Sequence, residues 1–206
     1  MGLFEKMGGV TPTGSSRWFN EGGYVARSRR CQHFLSQQGK GNCVAIEVSI
    51  LGVTLAYEAG RICWIDQSEL PASNRPGEVC STVLQIDRQQ PAMANLKGYL
   101  LAASRLTEAQ IIQAYAEEHR LDPADPKTAD KAWDAFATRC TSGSGELLAG
   151  SVVLVRANRI RTKSGTPFTR VVWEIPPPEL LAKYENAADP MPPGAAAPAE
   201  GAEAAQ

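Results

Sequence analysis

The sequence predicts a mixed α+β protein, mostly β, whose centre is an antiparallel five-stranded barrel. Three observations favour this class. Residues 24–31 and 43–51 alternate in the manner of strands across a polar, glycine-rich turn. Over about 90–140 the apolar residues recur with the spacing of a helix, and the alternation typical of strands then returns over 151–161 and 168–175. The helices would therefore form an insertion between the third and fourth strands.

The first half of the chain contains an N-terminal arm and three predicted strands. Residues 1–22 are rich in glycine and turn-forming residues, which predicts a flexible arm. After the strand at 24–31, the clearest strand places β-branched residues at every second position: Val44, Ile46, Val48 and Ile50. Residues 60–65 form a short third strand. The segment 79–86 fits either a strand or an extended connector.

Helical spacing and capping residues define the middle of the chain. One apolar stripe follows i, i+3, i+4 and i+7 through Leu96, Tyr99, Leu100 and Ala103. Thr107 and Gln110 have the spacing of a capping box that opens a second helix. Asp125 followed by Pro126 is typical of the start of a third.

The last two strands form a hairpin whose turn, residues 162–166, contains Gly165. Three prolines at 176–178 end the ladder, because proline cannot donate a backbone hydrogen bond. Five strands with helices between the third and fourth have the order of an OB barrel. We therefore predict an OB-like domain at 23–178 and a flexible, disordered acidic tail rich in Ala and Pro at 179–206.

Charge is distributed unevenly along the 206 residues, although the formal net charge is only -1. Residues 185–206 contain four carboxylates and no Lys or Arg, so they carry -4 and the remainder carries +3. No acidic residue lies between Leu147 and Trp173, a span with five positive charges. A solvated strand face with such residues can bind a phosphate backbone, although edge strands also use Lys and Arg to prevent edge-to-edge pairing.

Aromatic residues lie among these charges, which is the pattern of a site that binds single-stranded nucleic acid by phosphate contact and base stacking. The predicted phosphate contacts are Arg27, Arg29, Arg30, Lys40, Arg159, Arg161, Lys163 and Arg170. The predicted stacking residues are Trp18, Tyr24, Phe34 and Phe168.

Several other classes are disfavoured. No apolar run approaches the roughly 20 residues of a membrane span, and no signal peptide is recognised, so a cytoplasmic protein is expected. The five cysteines include no CxxC pair, which favours buried thiols over a metal or redox site. No catalytic motif is found, so we expect no enzyme activity, no catalytic residues, no metal and no cofactor.

The chain resembles the single-stranded DNA-binding proteins of tailed phages, a divergent OB-fold group. The resemblance lies in Gly23-Tyr24 before the basic strand, in 95–100, and in the hairpin 162–169 followed by Trp173. It implies non-sequence-specific binding of single-stranded DNA in replication or recombination, without catalysis. A homo-oligomer is also expected. Bacterial single-strand binders end in a similar acidic tail, which implies contact with replication or recombination proteins through the tail, although the tail here ends in Gln206 without a terminal Phe.

Two alternatives remain open. A virion or assembly protein with a β-barrel core would pair its arginines with carboxylates of neighbouring subunits. A metal-dependent nucleic-acid-processing enzyme would bring together three of the carboxylates of Asp66, Glu69, Asp87, Glu117 and Asp122. The charge division itself predicts that deleting residues 185–206 strengthens DNA binding at low salt.

Overall fold

The computed structural model describes residues 17–36, 41–58, 61–64, 74–87, 90–161 and 167–190. Within these ranges, only the backbone is described for residues 17, 54–58, 61–64, 159, 161, 167 and 168.

Seven strands of the described residues form one sheet, and all of its pairings are antiparallel except β1 with β5. Its order is β1-β5-β3-β2-β6-β7, with β4 paired to the far end of β3. The strands are β1 (Arg17–Trp18), β2 (Gly22–Leu35), β3 (Asn42–Glu58), β4 (Arg61–Trp64), β5 (Val79–Gln85), β6 (Val152–Arg161) and β7 (Pro167–Glu174).

The predicted α+β class is confirmed, but the predicted barrel is not. Among the described strands no pairing joins the β1 edge to the β7 edge, so the described sheet is open. The ambiguous segment 79–86 is a strand, β5, that pairs with the first half of β3. Residue 17 already belongs to the sheet and Phe19 is buried, so the folded region begins before the predicted boundary at 23.

Four helices are present among the described residues, three of them between β5 and β6 in the chain. The predicted capping box is present at the second helix, where Thr107 accepts from the backbone N–H of Gln110. Asp125 caps the third helix at Lys127 N with Pro126 in its first turn. The bounds are α1 (Gln90–Ser104), α2 (Glu108–His119), α3 (Pro126–Thr141) and α4 (Pro178–Tyr184).

The sheet buries apolar side chains on both faces. The larger cluster lies on the face that α1 covers, and it includes alternate residues of β2, β3 and β6. Tyr99 of α1 shares a hydrogen bond with the Ser28 hydroxyl, and its ring packs edge-on at 5.1 Å from the ring of Trp173. The Trp173 indole N–H donates to the Asn95 side chain at 2.8 Å, so two polar contacts fix α1 on the sheet.

A smaller cluster on the opposite face packs against α4. Leu180 forms one buried cluster with Val25, Leu51, Val152 and Leu154, and Leu181 and Tyr184 pack against it. The predicted tail therefore begins too early, because residues 178–184 form a helix that covers part of the sheet. Residues 191–206 lie outside the described residues.

β2 is paired on both edges for only half of its length. β3 follows it from Gly23 to Leu35, whereas β6 pairs with Gly22–Arg27 alone. Beyond a bulge between Ser28 and Arg30, the backbone N–H of Cys31 donates to Gly145 O at 2.7 Å. The loop around Gly145 thus replaces β6 at this point.

Gly145 has φ +71°, and a Cβ there would lie 2.5 Å from the carbonyl oxygen of Cys31. Gly145→Ala is expected to lower the free energy of unfolding by about 2–4 kcal/mol, since strain and a backbone clash combine. The matched control is Gly143→Ala, which has φ +61° and nothing within 4 Å of its Cβ, and it should cost about 1 kcal/mol. Urea unfolding of both variants checks this, and equal losses would contradict it.

Candidate nucleic-acid interface

The two basic strands predicted from the sequence are neighbours, because β2 pairs with β6. Arg27 lies opposite Val152, and Val152 shares its face with Arg156 because side chains of a strand alternate. Asn158, two residues further, pairs with Arg170 of β7. These arginines therefore share the face that α4 partly covers.

Arg27 is enclosed by the last residue of α4 and the segment that follows it. One guanidinium nitrogen donates to the carbonyl oxygens of Tyr184 and Ala187, each at 2.7 Å. The other terminal nitrogen lies 3.0 Å from a carboxylate oxygen of Asp189. The side chain keeps only 18% of its exposure, so Arg27 has little surface left for a phosphate.

Two more arginines of this face have carboxylate neighbours. Arg30 lies 4.0 Å from Glu47, its partner across β2 and β3, and Arg156 forms an ion pair with Glu174. Arg29 at the bulge and Arg170 are both exposed and have no ion pair with a described carboxylate. Of the predicted phosphate contacts whose side chains are described, Arg27 and Arg30 thus have carboxylate neighbours, whereas Arg29 and Arg170 have none among the described residues.

The part of this face that α4 leaves open carries exposed apolar side chains. One row across four strands consists of Trp18, Ser81, Glu47 and Arg30, paired in the register of the sheet. The neighbours of this row along the strands, Cys80, Thr82, Val48, Ile46 and Cys31, are buried. Because alternate residues point to opposite faces, the row points away from α1. We call this region the open face.

Trp18 is 67% exposed, which makes it the most exposed large apolar side chain of the described residues. Val83, two residues beyond Ser81 on β5, is 43% exposed. Phe34 is half-buried and pairs with Cys43, which pairs in turn with Gln85. Gln85 is two residues after Val83 on β5, so by register Phe34 belongs to the same face as Val83. Trp18 and Phe34 are four residues apart along the strands and three strand spacings apart across them, so their Cα atoms are separated by roughly 20 Å.

Tyr24 does not belong to this surface. It has no exposed area and lies in the larger cluster, and its hydroxyl donates to Asn20 O at 2.9 Å. This corrects the expectation for Tyr24, because a ring without exposed surface cannot stack on a base.

The remaining predicted site residues lie beyond what is described. Lys40 and Lys163 fall outside the described residues, and only the backbone is described for Arg159, Arg161 and Phe168. Arg159 pairs with Thr169 and Arg161 with Pro167, one position out of phase with Arg170.

Sequence reasoning missed three contributors to the surface. Val83 was overlooked because the apolar residues of its segment, 79–86, do not alternate regularly with polar ones. Asp189 was assigned to a tail with no fixed partner, and the bulge at Arg29 was not foreseen. Because of that bulge Arg27 and Arg30 share a face, whereas simple alternation pairs Arg27 with Arg29. The sequence gives one indication of the Asp189 contact, which is the position of this acidic residue shortly after the amphipathic turn at 178–184.

The described side chains include no group of three His, Cys, Asp or Glu positioned to hold a metal ion, and Asp66 and Glu69 are not described. Cys31, Cys43, Cys80 and Cys140 are buried free thiols, as predicted for them. Burial raises the pKa of Cys31 to about 12 and that of Cys140 to about 11. No described helix has both the length and the apolar character to cross a membrane.

No protein-family model matches the chain, and no curated protein sequence matches it.

The burial of Tyr24 has a measurable consequence. Desolvation raises its pKa to about 12 from an ordinary value of 10.0, so the folded state favours the neutral phenol. That contribution is complete below pH 10 and is lost as the pH rises toward 12. Tyr24→Phe should therefore show a smaller fall in unfolding free energy between pH 10 and 12 than the unchanged protein. Urea unfolding across this range is the measurement, and an unchanged slope would contradict the burial of Tyr24.

Proposed function

We propose that this chain binds single-stranded DNA without sequence preference, in replication or recombination, through the open face. The observation that carries the proposal is the shared face of exposed Trp18, half-buried Phe34 and Arg30. Aromatic side chains on a sheet stack on bases of any sequence, because every base has a π-face. Arg29 and Arg170 supply positive charge without a described counter-ion.

The strand pairings support an OB-like architecture as part of this proposal. An OB barrel pairs its first strand with the second and fourth, the second with the third, and the fourth with the fifth. The corresponding pairings here are β2 with β3 and β6, β3 with β4, and β6 with β7. Closure would require β4 to pair with β7, which is not among the described pairings. Oligonucleotides bind OB domains through the loops 1–2 and 4–5, the positions of Lys40 and Lys163.

The rival readings gain no specific support. In the virion-protein alternative, arginines pair with neighbouring subunits, whereas Arg27, Arg30 and Arg156 have carboxylate neighbours within the chain. The enzyme alternative needs converging carboxylates, and the described residues contain no such group.

Trp18→Ala and Phe34→Ala should each weaken binding of a fluorescein-labelled oligo-dT. Loss of one stacking ring costs about 1–3 kcal/mol, or roughly 5- to 150-fold in Kd. Leu121→Ala is the matched control, an exposed apolar residue in the α2–α3 connection, and its Kd should be unchanged. Fluorescence anisotropy at increasing salt is the measurement. Absence of binding at low salt, or unchanged affinity in both aromatic variants, would refute the proposal.

Loss of the counter-charge of Arg27 is expected to strengthen binding. Asp189→Asn leaves the guanidinium without its carboxylate, so the positive charge of Arg27 adds to the potential that attracts DNA, and Kd at low salt should fall several-fold. Glu185→Gln changes the net charge equally, but Glu185 pairs with Arg105 at 2.8 Å instead. Equal gains in the two variants would indicate a general charge effect and would rule out a specific role for Asp189.

A further inference from the structure

Trp18 and the residue after it point in opposite directions at the edge of the sheet. Trp18 is 67% exposed on the open face, whereas Phe19 is buried in the larger cluster. The described part of β1 pairs with β5 at two positions, Arg17 with Cys80 and Trp18 with Ser81. The direction in which the Trp18 ring points therefore also depends on what holds the backbone around Phe19.

Asn74 binds that backbone on both sides of Phe19. This residue precedes β5 and is 1% exposed. Its side-chain oxygen accepts from the backbone N–H of Asn20 at 2.8 Å, and its side-chain nitrogen lies 3.4 Å from the carbonyl oxygen of Trp18. We call this pair of contacts the Asn74 clamp.

The partners of the clamp determine which way the Asn74 amide faces. The backbone N–H of Asn20 can only donate, so it requires the amide oxygen, whereas the Trp18 carbonyl can only accept, so it requires the NH2 group. The second hydrogen of that group has an acceptor in the Glu78 carboxylate, 3.4 Å away. Among side chains of this length, Asn is the one that offers both an acceptor and two donors.

Tyr24 and Glu78 hold the clamp in place. The buried Tyr24 hydroxyl donates to the carbonyl oxygen of Asn20 at 2.9 Å and lies 3.4 Å from the backbone nitrogen of Asn74. Glu78 also accepts from the backbone N–H of Arg75 at 3.2 Å. A buried polar network is rigid when its members are satisfied, so Asn74 has a fixed position relative to β2 and β5.

We propose that Asn74 is a positioning residue for DNA binding, because it holds the Trp18 backbone so that the indole ring stands on the open face. This inference rests on the proposed function and deepens it. A ring on an ordered backbone loses less conformational freedom when a base stacks on it, so the clamp increases affinity. Asn74 is buried, and it therefore acts on DNA through Trp18.

A double-mutant cycle with Trp18 tests this role. Asn74→Ala should weaken binding of fluorescein-labelled oligo-dT at least fivefold, because the ring is no longer held. In the Trp18→Ala background the same change should alter Kd less than twofold, since no ring remains to be positioned. Equal losses in the two backgrounds would indicate a general structural role and would overturn the proposal. Asn74→Ser repeats the cycle at a smaller loss of stability, because its hydroxyl can bond one of the two backbone groups but cannot reach both.

Thr128→Ala is the matched control, because Thr128 is also a buried polar residue but lies in α3. Its Kd should equal that of the unchanged protein, and a loss equal to that of Asn74→Ala would overturn the proposal. The two proposals fail in different ways. If the unchanged protein does not bind oligo-dT at low salt, the proposed function fails and this inference fails with it. If Trp18→Ala weakens binding while Asn74→Ala does not, this inference alone fails.

Hydrogen exchange tests the clamp without DNA. In Asn74→Ala the amide of Asn20 should exchange at least tenfold faster than in the unchanged protein, because its acceptor has been removed. Exchange in β6 should stay constant, which separates local release from unfolding. Unchanged exchange at Asn20 would overturn the proposal whatever the affinity for DNA.

Discussion

The structure depends on the unequal pairing of the two edges of β2. β3 binds one edge along nearly the whole strand, whereas β6 binds the other edge only as far as Arg27. The bulge at Arg29 and the close approach of Gly145 to Cys31 occur where β6 ends. The first half of β2 is consequently buried on both faces, and the second half retains an open face and an edge that no described strand pairs. The open face extends from this second half across β3 and β5 to β1.

The burial of the first half also explains the charge arrangement. Arg27 lies beside the apolar cluster under α4, where an unpaired guanidinium would be costly, so two carbonyls and the Asp189 carboxylate surround it. Glu47 and Glu174 neutralise two other arginines of the same face. Among the described arginines, this pairing leaves fewer free charges for counterion release by a polyanion than an unpaired basic groove would have. Stacking on Trp18 and Phe34 would then supply a larger share of the affinity.

The sequence predicted those elements whose pattern depends on one buried face. Val44, Ile46, Val48 and Ile50 alternate because only one face of β3 is fully apolar there, and the caps Thr107 and Asp125 act through local hydrogen bonds. β5 was ambiguous because its polarity does not follow its burial: polar Thr82 is on the buried face and apolar Val83 is on the exposed face. Tyr24 was wrongly predicted to stack on bases because its basic neighbours suggested a binding strand. Tyr24 and Ala26 are two residues apart, so they point to the same face, and that face belongs to the core. A one-residue bulge has no signature in composition, so the faces to which Arg29 and Arg30 point could not be predicted from the sequence.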